Sequence, residues 1–257
     1  MQFTDTHCHI HEAQYPLDKG DVLIRARQNG VNRLICVGTD EVTSAEAVSF
    51  VQGKADMWAS VGLHPHDAVH GMAAIAALET LLQDEKKIVA IGECGLDYFY
   101  NHSPRETQFE MLDEQMKLAL QYDIPMIFHV REAFDDFWPL FDKYQSAGQL
   151  IRGVVHSFTD TQENLQKALD RGLLIGVNGI STFTKVDAQT EMYRQIPLDR
   201  LILETDAPYL TPTPLRGKVN EPAFVTHVAK YIANLQSINL TELSLATERN
   251  ATRLFSL

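Results

Sequence analysis

The sequence has few cysteines, no apolar run long enough to cross a bilayer, and no excess of positive charge. Only Cys8, Cys36 and Cys94 occur in 257 residues, an odd and scattered set that argues against a disulfide framework. A membrane-spanning helix needs about 20 consecutive apolar residues, and no stretch approaches that length. The opening Met1-Gln2-Phe3-Thr4-Asp5 has neither the basic n-region nor the apolar h-region of a signal peptide. These absences predict a cytoplasmic location, no membrane association and no obligate protein partner. Basic residues number 22 against 34 acidic ones, a net charge of −12. That balance disfavours a broad, salt-sensitive grip on nucleic-acid phosphates. It leaves room for a narrow site in which a metal supplies the positive charge. What the chain does have is ten histidines beside that acidic excess.

Short apolar runs alternate with helical patterns from end to end. Eight runs are predicted as strands: 3–10, 33–37, 57–63, 88–93, 125–129, 152–156, 173–177 and 201–204. Most are β-branched-rich and do not alternate, as expected of strands buried on both faces. Ser103-Pro104-Arg105-Glu106 predicts a helix start with Ser as N-cap and Glu closing a capping box. Asp160-Thr161-Gln162-Glu163 repeats that pattern, and Thr241 is placed to cap the final helix. Eight βα units in a chain of this length favour a closed (β/α)8 TIM barrel over an open sheet. With no linker or composition break, residues 1–257 read as one domain. A proline-rich loop, 206–222, follows the eighth strand, on the barrel face where active sites lie.

Residues suited to metal binding sit at the strand ends. In Asp5-Thr6-His7-Cys8-His9, alternate residues share a strand face, so His7 and His9 project together with Asp5. A single HxH is a weak signal, but His64 and His66 end strand three on one strand face, and Glu93 and Asp97 end strand four. His129 with Arg131 ends strand five, His156 ends strand six, and Glu204 with Asp206 ends strand eight. Three or four imidazoles and two carboxylates can hold two divalent ions with a carboxylate between them, for which Glu93 is suited. Asp206 can both bind metal and accept a proton from water. His and carboxylate ligands suit zinc, manganese, nickel or iron, with magnesium open through the carboxylates. His64 is expected to contact a substrate phosphate or an active-site water rather than metal. Glu204 is expected to orient a ligand histidine from behind. Arg131 is expected to bind phosphate or to pair with Glu93 or Asp97. Arg216 and Lys218 offer further phosphate contacts on the long loop. Tyr98, Phe99 and Tyr100 could stack on a base or simply pack the loop. His11, His70, His102 and His227 are expected at the surface. Cys8 and Cys94, out of phase with the ligands, are expected to face away as small hydrophobes.

The order Asp5-Thr-His7-Cys-His9, Gly-Leu-His64-Pro-His66, Gly-Glu93-Cys-Gly-Leu-Asp97, His129-Val-Arg131-Glu132, His156-Ser-Phe158 and Glu204-Thr-Asp206-Ala-Pro208 resembles the TatD family of metal-dependent hydrolases. That family belongs to the amidohydrolase-like TIM barrels, and the resemblance runs from residue 4 to Phe255. It implies metal ligation by His7, His9, Glu93, His129, His156 and Asp206, with Glu93 where many amidohydrolase relatives carry a carboxylated lysine. It also implies deoxyribonuclease activity, acting as an exonuclease on DNA and sometimes RNA. One departure is Val219, where the family more often has a second basic residue. The expectation is a two-metal phosphodiester hydrolase acting on DNA ends or short single strands. The alternative on the same barrel is a small-molecule hydrolase cleaving an amide, ester, lactone or phosphoester. A non-catalytic, metal-stabilised binding protein is disfavoured by the complete ligand set.

Overall fold

The computed structural model describes residues 1–84, 86–100 and 102–257. Eight parallel strands follow one another in sequence order in one sheet, each succeeded by a helix, as expected for a (β/α)8 barrel. The strands are β1 (Phe3–Cys8), β2 (Val31–Val37), β3 (Met57–Val61), β4 (Ile88–Asp97), β5 (Met126–Arg131), β6 (Gly153–Val155), β7 (Leu174–Val177) and β8 (Leu201–Leu203). The helices are α1 (Lys19–Gln28), α2 (Glu41–Val51), α3 (Gly71–Asp84), α4 (Arg105–Gln121), α5 (Phe134–Ser146), α6 (Gln162–Asp170), α7 (Asp187–Gln195), α8 (Val225–Leu235) and α9 (Leu240–Phe255). Among the described residues, no helix is long and apolar enough to cross a membrane. The chain divides into two compact units, 1–36 with 55–57 and 157–257, and 37–54 with 58–156.

In the first unit, β1 pairs with β2 and β7 with β8. Thr6 Oγ1 donates to the Leu203 carbonyl at 3.0 Å, and the Asp206 N–H donates to the His7 carbonyl at 2.9 Å. The His9 N–H then donates to the Ala207 carbonyl at 2.7 Å. The first strand and the segment after the eighth are thus zipped together, although about 200 residues separate them. The loop that follows is tied down by Asn220. Its Nδ2 donates to the Thr205 carbonyl at 2.8 Å, and its carbonyl accepts from Tyr15 Oη at 2.9 Å. Arg25 of α1 clasps the buried Glu221 carboxylate through Nε at 2.9 Å and Nη2 at 2.6 Å.

In the second unit, β3 to β6 pair in succession. Phe128, Phe137 and Phe141 are fully buried between β5 and α5. Two buried glutamines of α4, seven residues apart and so on one helix face, hold strand ends through reciprocal amide bonds. Gln115 accepts from the Leu63 N–H at 2.7 Å and donates to its carbonyl at 3.0 Å. Gln108 accepts from the Asp97 N–H at 2.8 Å and donates to its carbonyl at 3.0 Å. Gly95 is required where β4 passes β5: its φ is +154°, and a Cβ there would lie 1.8 Å from the His129 carbonyl oxygen.

Three expected caps differ. Ser103 does not cap α4, because its hydroxyl donates to the His66 carbonyl at 2.7 Å; Pro104 occupies the cap position without a side-chain bond. Thr161, not Asp160, caps α6, accepting from the Asn164 N–H at 3.2 Å. Asn239, not Thr241, caps α9, accepting from the Glu242 N–H at 2.8 Å. Residues 65–70 form a 3-10 turn rather than extended strand, so His64 and His66 do not share a strand face. Pro65 fixes that turn at its first position.

Candidate metal centre

The first unit brings His7, His9 and Asp206 together. His7 Nε2 lies 3.2 Å from His9 Nε2. Asp206 Oδ1 lies 3.6 Å from His7 Nε2 and 3.3 Å from His9 Nε2. Both imidazoles are buried. Asp206 sits at φ +60°, a left-handed conformation that Asp enters at lower cost than most residues. Behind this cluster lies Asp5, fully buried. Its Oδ2 accepts from Thr205 Oγ1 at 2.6 Å, and its Oδ1 from the Thr205 N–H at 2.8 Å. Burial pushes the Asp5 carboxyl up to about 8, against the lowering effect of those Thr205 bonds. Glu204 Oε1 accepts from the Ser157 N–H at 2.7 Å, so it steadies the residue that follows His156.

The second unit gathers its groups around Glu93. The Oε1 atom of Glu93 lies 2.8 Å from His129 Nδ1, 3.5 Å from His64 Nε2 and 3.7 Å from His156 Nε2. Glu93 and His156 are buried, and the ligand atoms of His64, Glu93 and His129 all lie within 4.8 Å of one another. A second carboxylate, Asp97, stands beside them, with Oδ2 3.1 Å from His129 Nε2 and 3.0 Å from His66 Nε2. Burial works against a charged Asp97, but His129, the Tyr100 N–H and His66 hold its carboxyl well below the usual carboxylate range. Burial and the neighbouring His129 push His64 down to about 4, so its imidazole is neutral at pH 7. Burial also opposes charge on His129, yet Asp97 and Glu93 outweigh it and raise its pKa.

Each cluster converges imidazole nitrogens and carboxylate oxygens on a small volume, the donor set that divalent transition metals take. Buried acid and imidazole at these separations gain from a cation between them. The residues present therefore fit a metal.

The other predicted residues fall out differently. Arg131 pairs with neither Glu93 nor Asp97; its guanidinium lies 4.0 Å from the Phe99 ring and 4.7 Å from Tyr100. Arg216 lies 3.8 Å over the Phe183 ring and donates to the Thr211 carbonyl at 2.7 Å. His11 is buried rather than at the surface. Cys8 and Cys94 are fully buried and free, as expected. Asp97 as the partner of His129 and His66 was missed. The available signal was its spacing of four from Glu93, which keeps both on one strand face. Gln108, Gln115 and Asn220 were also missed; polar residues inside helices and loops carry no local sign of such bonds.

The family described as TatD related DNase matches residues 4–256. The chain is 36% identical over 251 residues to the uncharacterized metal-dependent hydrolase YabD of Bacillus subtilis, covering 98% of each. It is 35% identical over 259 residues to the 3′-5′ ssDNA/RNA exonuclease TatD of Pantoea ananatis, covering 98% of this chain and 99% of that protein. The crystal structure of YJJV, a TatD homolog from Escherichia coli K12, superposes with a TM-score of 0.92 at 30% identity, covering 99% of this chain and 98% of that one.

Proposed function

The chain belongs to the TatD-related DNase family, and from that premise we propose that this metal-dependent hydrolase is an exonuclease removing nucleotides from the 3′ ends of single-stranded DNA or RNA. The observation that carries the proposal is the pair of histidine–carboxylate clusters, one around Asp206 and one around Glu93, each at the C-terminal ends of its strands. In barrel enzymes that is where active sites are built. Two divalent ions, of the zinc, manganese, magnesium, nickel or iron class, would be held by His7, His9, Glu93, His129, His156 and Asp206. When bound, such ions polarise a phosphoryl oxygen and make water a better nucleophile at neutral pH.

The chain's own groups supply the rest. Asp206, 3.6 Å from His7 Nε2 and 3.3 Å from His9 Nε2, accepts the proton of the attacking water. Asp97 orients His129, and Asp5 orients the Thr205–Asp206 segment. Neutral His64, Arg131 and Arg216 meet substrate phosphates, and Glu204 steadies the backbone next to His156. The charge of −12 favours a chain end entering a cationic pocket over a wrapped duplex. Residues 1–257 then act as one catalytic domain.

The test is a 5′-labelled single strand incubated with enzyme and each of manganese, zinc, magnesium, nickel and iron. Stepwise shortening from the 3′ end is expected with at least one ion, with a blunt duplex cut more slowly. No shortening with any ion, alongside turnover of an ester, lactone or amide, contradicts the proposal.

A further inference from the structure

Resting on the exonuclease reading, we infer that Phe99 and Tyr100, with Arg131 laid against them, form a platform on which a nucleobase of the single strand stacks. Three consecutive aromatic residues follow β4, and they are not alike. Tyr98 is buried at 8% exposure, and its hydroxyl donates to Asp136 Oδ2 at 2.8 Å, so it packs the loop. Phe99 and Tyr100 are 48% and 50% exposed. Half-exposing two adjacent rings gives up burial that folding would otherwise gain.

The rings are held in place from one carboxylate. Asp97 Oδ1 accepts from the Phe99 N–H at 2.9 Å and the Tyr100 N–H at 3.0 Å. Its other oxygen faces His129 at 3.1 Å and His66 at 3.0 Å. One side chain thus fixes the aromatic pair relative to a histidine of the Glu93 cluster. His66 adds an edge contact to Tyr100, with centroids 5.5 Å apart. His102 lies nearly parallel to Tyr100, at 5.8 Å and 17°. The two rings meet edge to face, at 88° with centroids 4.8 Å apart, so the planar guanidinium of Arg131, 4.0 Å from the Phe99 centroid and 4.7 Å from that of Tyr100, can stack on one of them and keep its N–H edges for a phosphate. Stacking accepts any base, because every base has a π-face. The platform therefore suits an enzyme that must pass along a strand regardless of sequence.

The test uses the metal-loaded enzyme and two single strands of equal length, one normal and one whose three terminal nucleotides are abasic. The wild type is expected to prefer the base-bearing strand. Phe99→Ala with Tyr100→Ala is expected to shrink that preference by about 5- to 150-fold, chiefly through KM, and Phe99→Trp with Tyr100→Trp to restore it. A phosphorothioate strand ending in 2-aminopurine, bound to the wild type, is expected to lose fluorescence on stacking. This readout does not depend on whether the alanine variant folds. A wild type that shortens strands without preferring bases, or leaves 2-aminopurine unquenched, overturns the platform while the exonuclease stands. A wild type that shortens no strand overturns both.

Discussion

The Asp206 cluster and the Glu93 cluster use the same residue types but are built in opposite ways. In the first, two imidazoles two residues apart come from the end of β1 and the residue just beyond it, and the carboxylate arrives from the far end of the chain. Backbone bonds between β1 and the segment after β8 bring them together. In the second, one carboxylate meets imidazoles supplied by the segments after β3 and β6 and by β5 itself. There the side-chain carboxylate Asp97 and two glutamines of α4 set the geometry. A cluster assembled by strand pairing should be robust to side-chain loss around it. One assembled by a polar side-chain network should be sensitive to each member, since a network is worth more than its separate bonds.

The largest expected effect breaks the first cluster at its base. Asp206→Asn should lower kcat by roughly 10²- to 10⁴-fold with little change in KM, measured as nucleotide release from a labelled single strand. Glu93→Gln should be comparably inactive but differ in metal content, because three imidazoles lose their shared carboxylate; elemental analysis after gel filtration distinguishes the two variants. Asp97→Asn should cost about 10- to 100-fold in activity or metal affinity, while Thr205→Val, its counterpart in the first cluster, should change metal affinity far less. Equal losses in those two variants would break the comparison. The smallest effect is on stability. Thr205→Val leaves a fully buried Asp5 oxygen without its hydroxyl donor and should destabilise the fold by about 1–3 kcal/mol, read from denaturant midpoints.

The division between the clusters also explains what the sequence disclosed. The pair His7 and His9 was legible because a strand repeats every two residues, whatever packs around it. Glu93, His129, His156 and Asp206 were legible through their motifs and the order in which the strands present them. The barrel followed from eight apolar runs, most of them unalternating, with helical patterns between them. The role of Asp97 was not legible, because it depends on which oxygen meets which partner: His129 and His66 on one side, the Phe99 and Tyr100 N–H groups on the other. Arg131 was expected at a substrate phosphate or at Glu93 or Asp97; of these, the carboxylate pairing gives way to the Phe99 and Tyr100 rings, a choice between favourable partners that spacing does not decide. Ser103 looked like a cap and instead bonds the His66 carbonyl, since a tertiary acceptor replaced the local one. His11 is buried although the sequence around it shows no periodic sign of burial.

Diffraction from crystals loaded with manganese, with the ions located by anomalous scattering, tests the central claim most directly. The account predicts density among His7, His9 and Asp206 and among Glu93, His129 and His156. Ions bound only elsewhere, or none bound under conditions that support turnover, would contradict it.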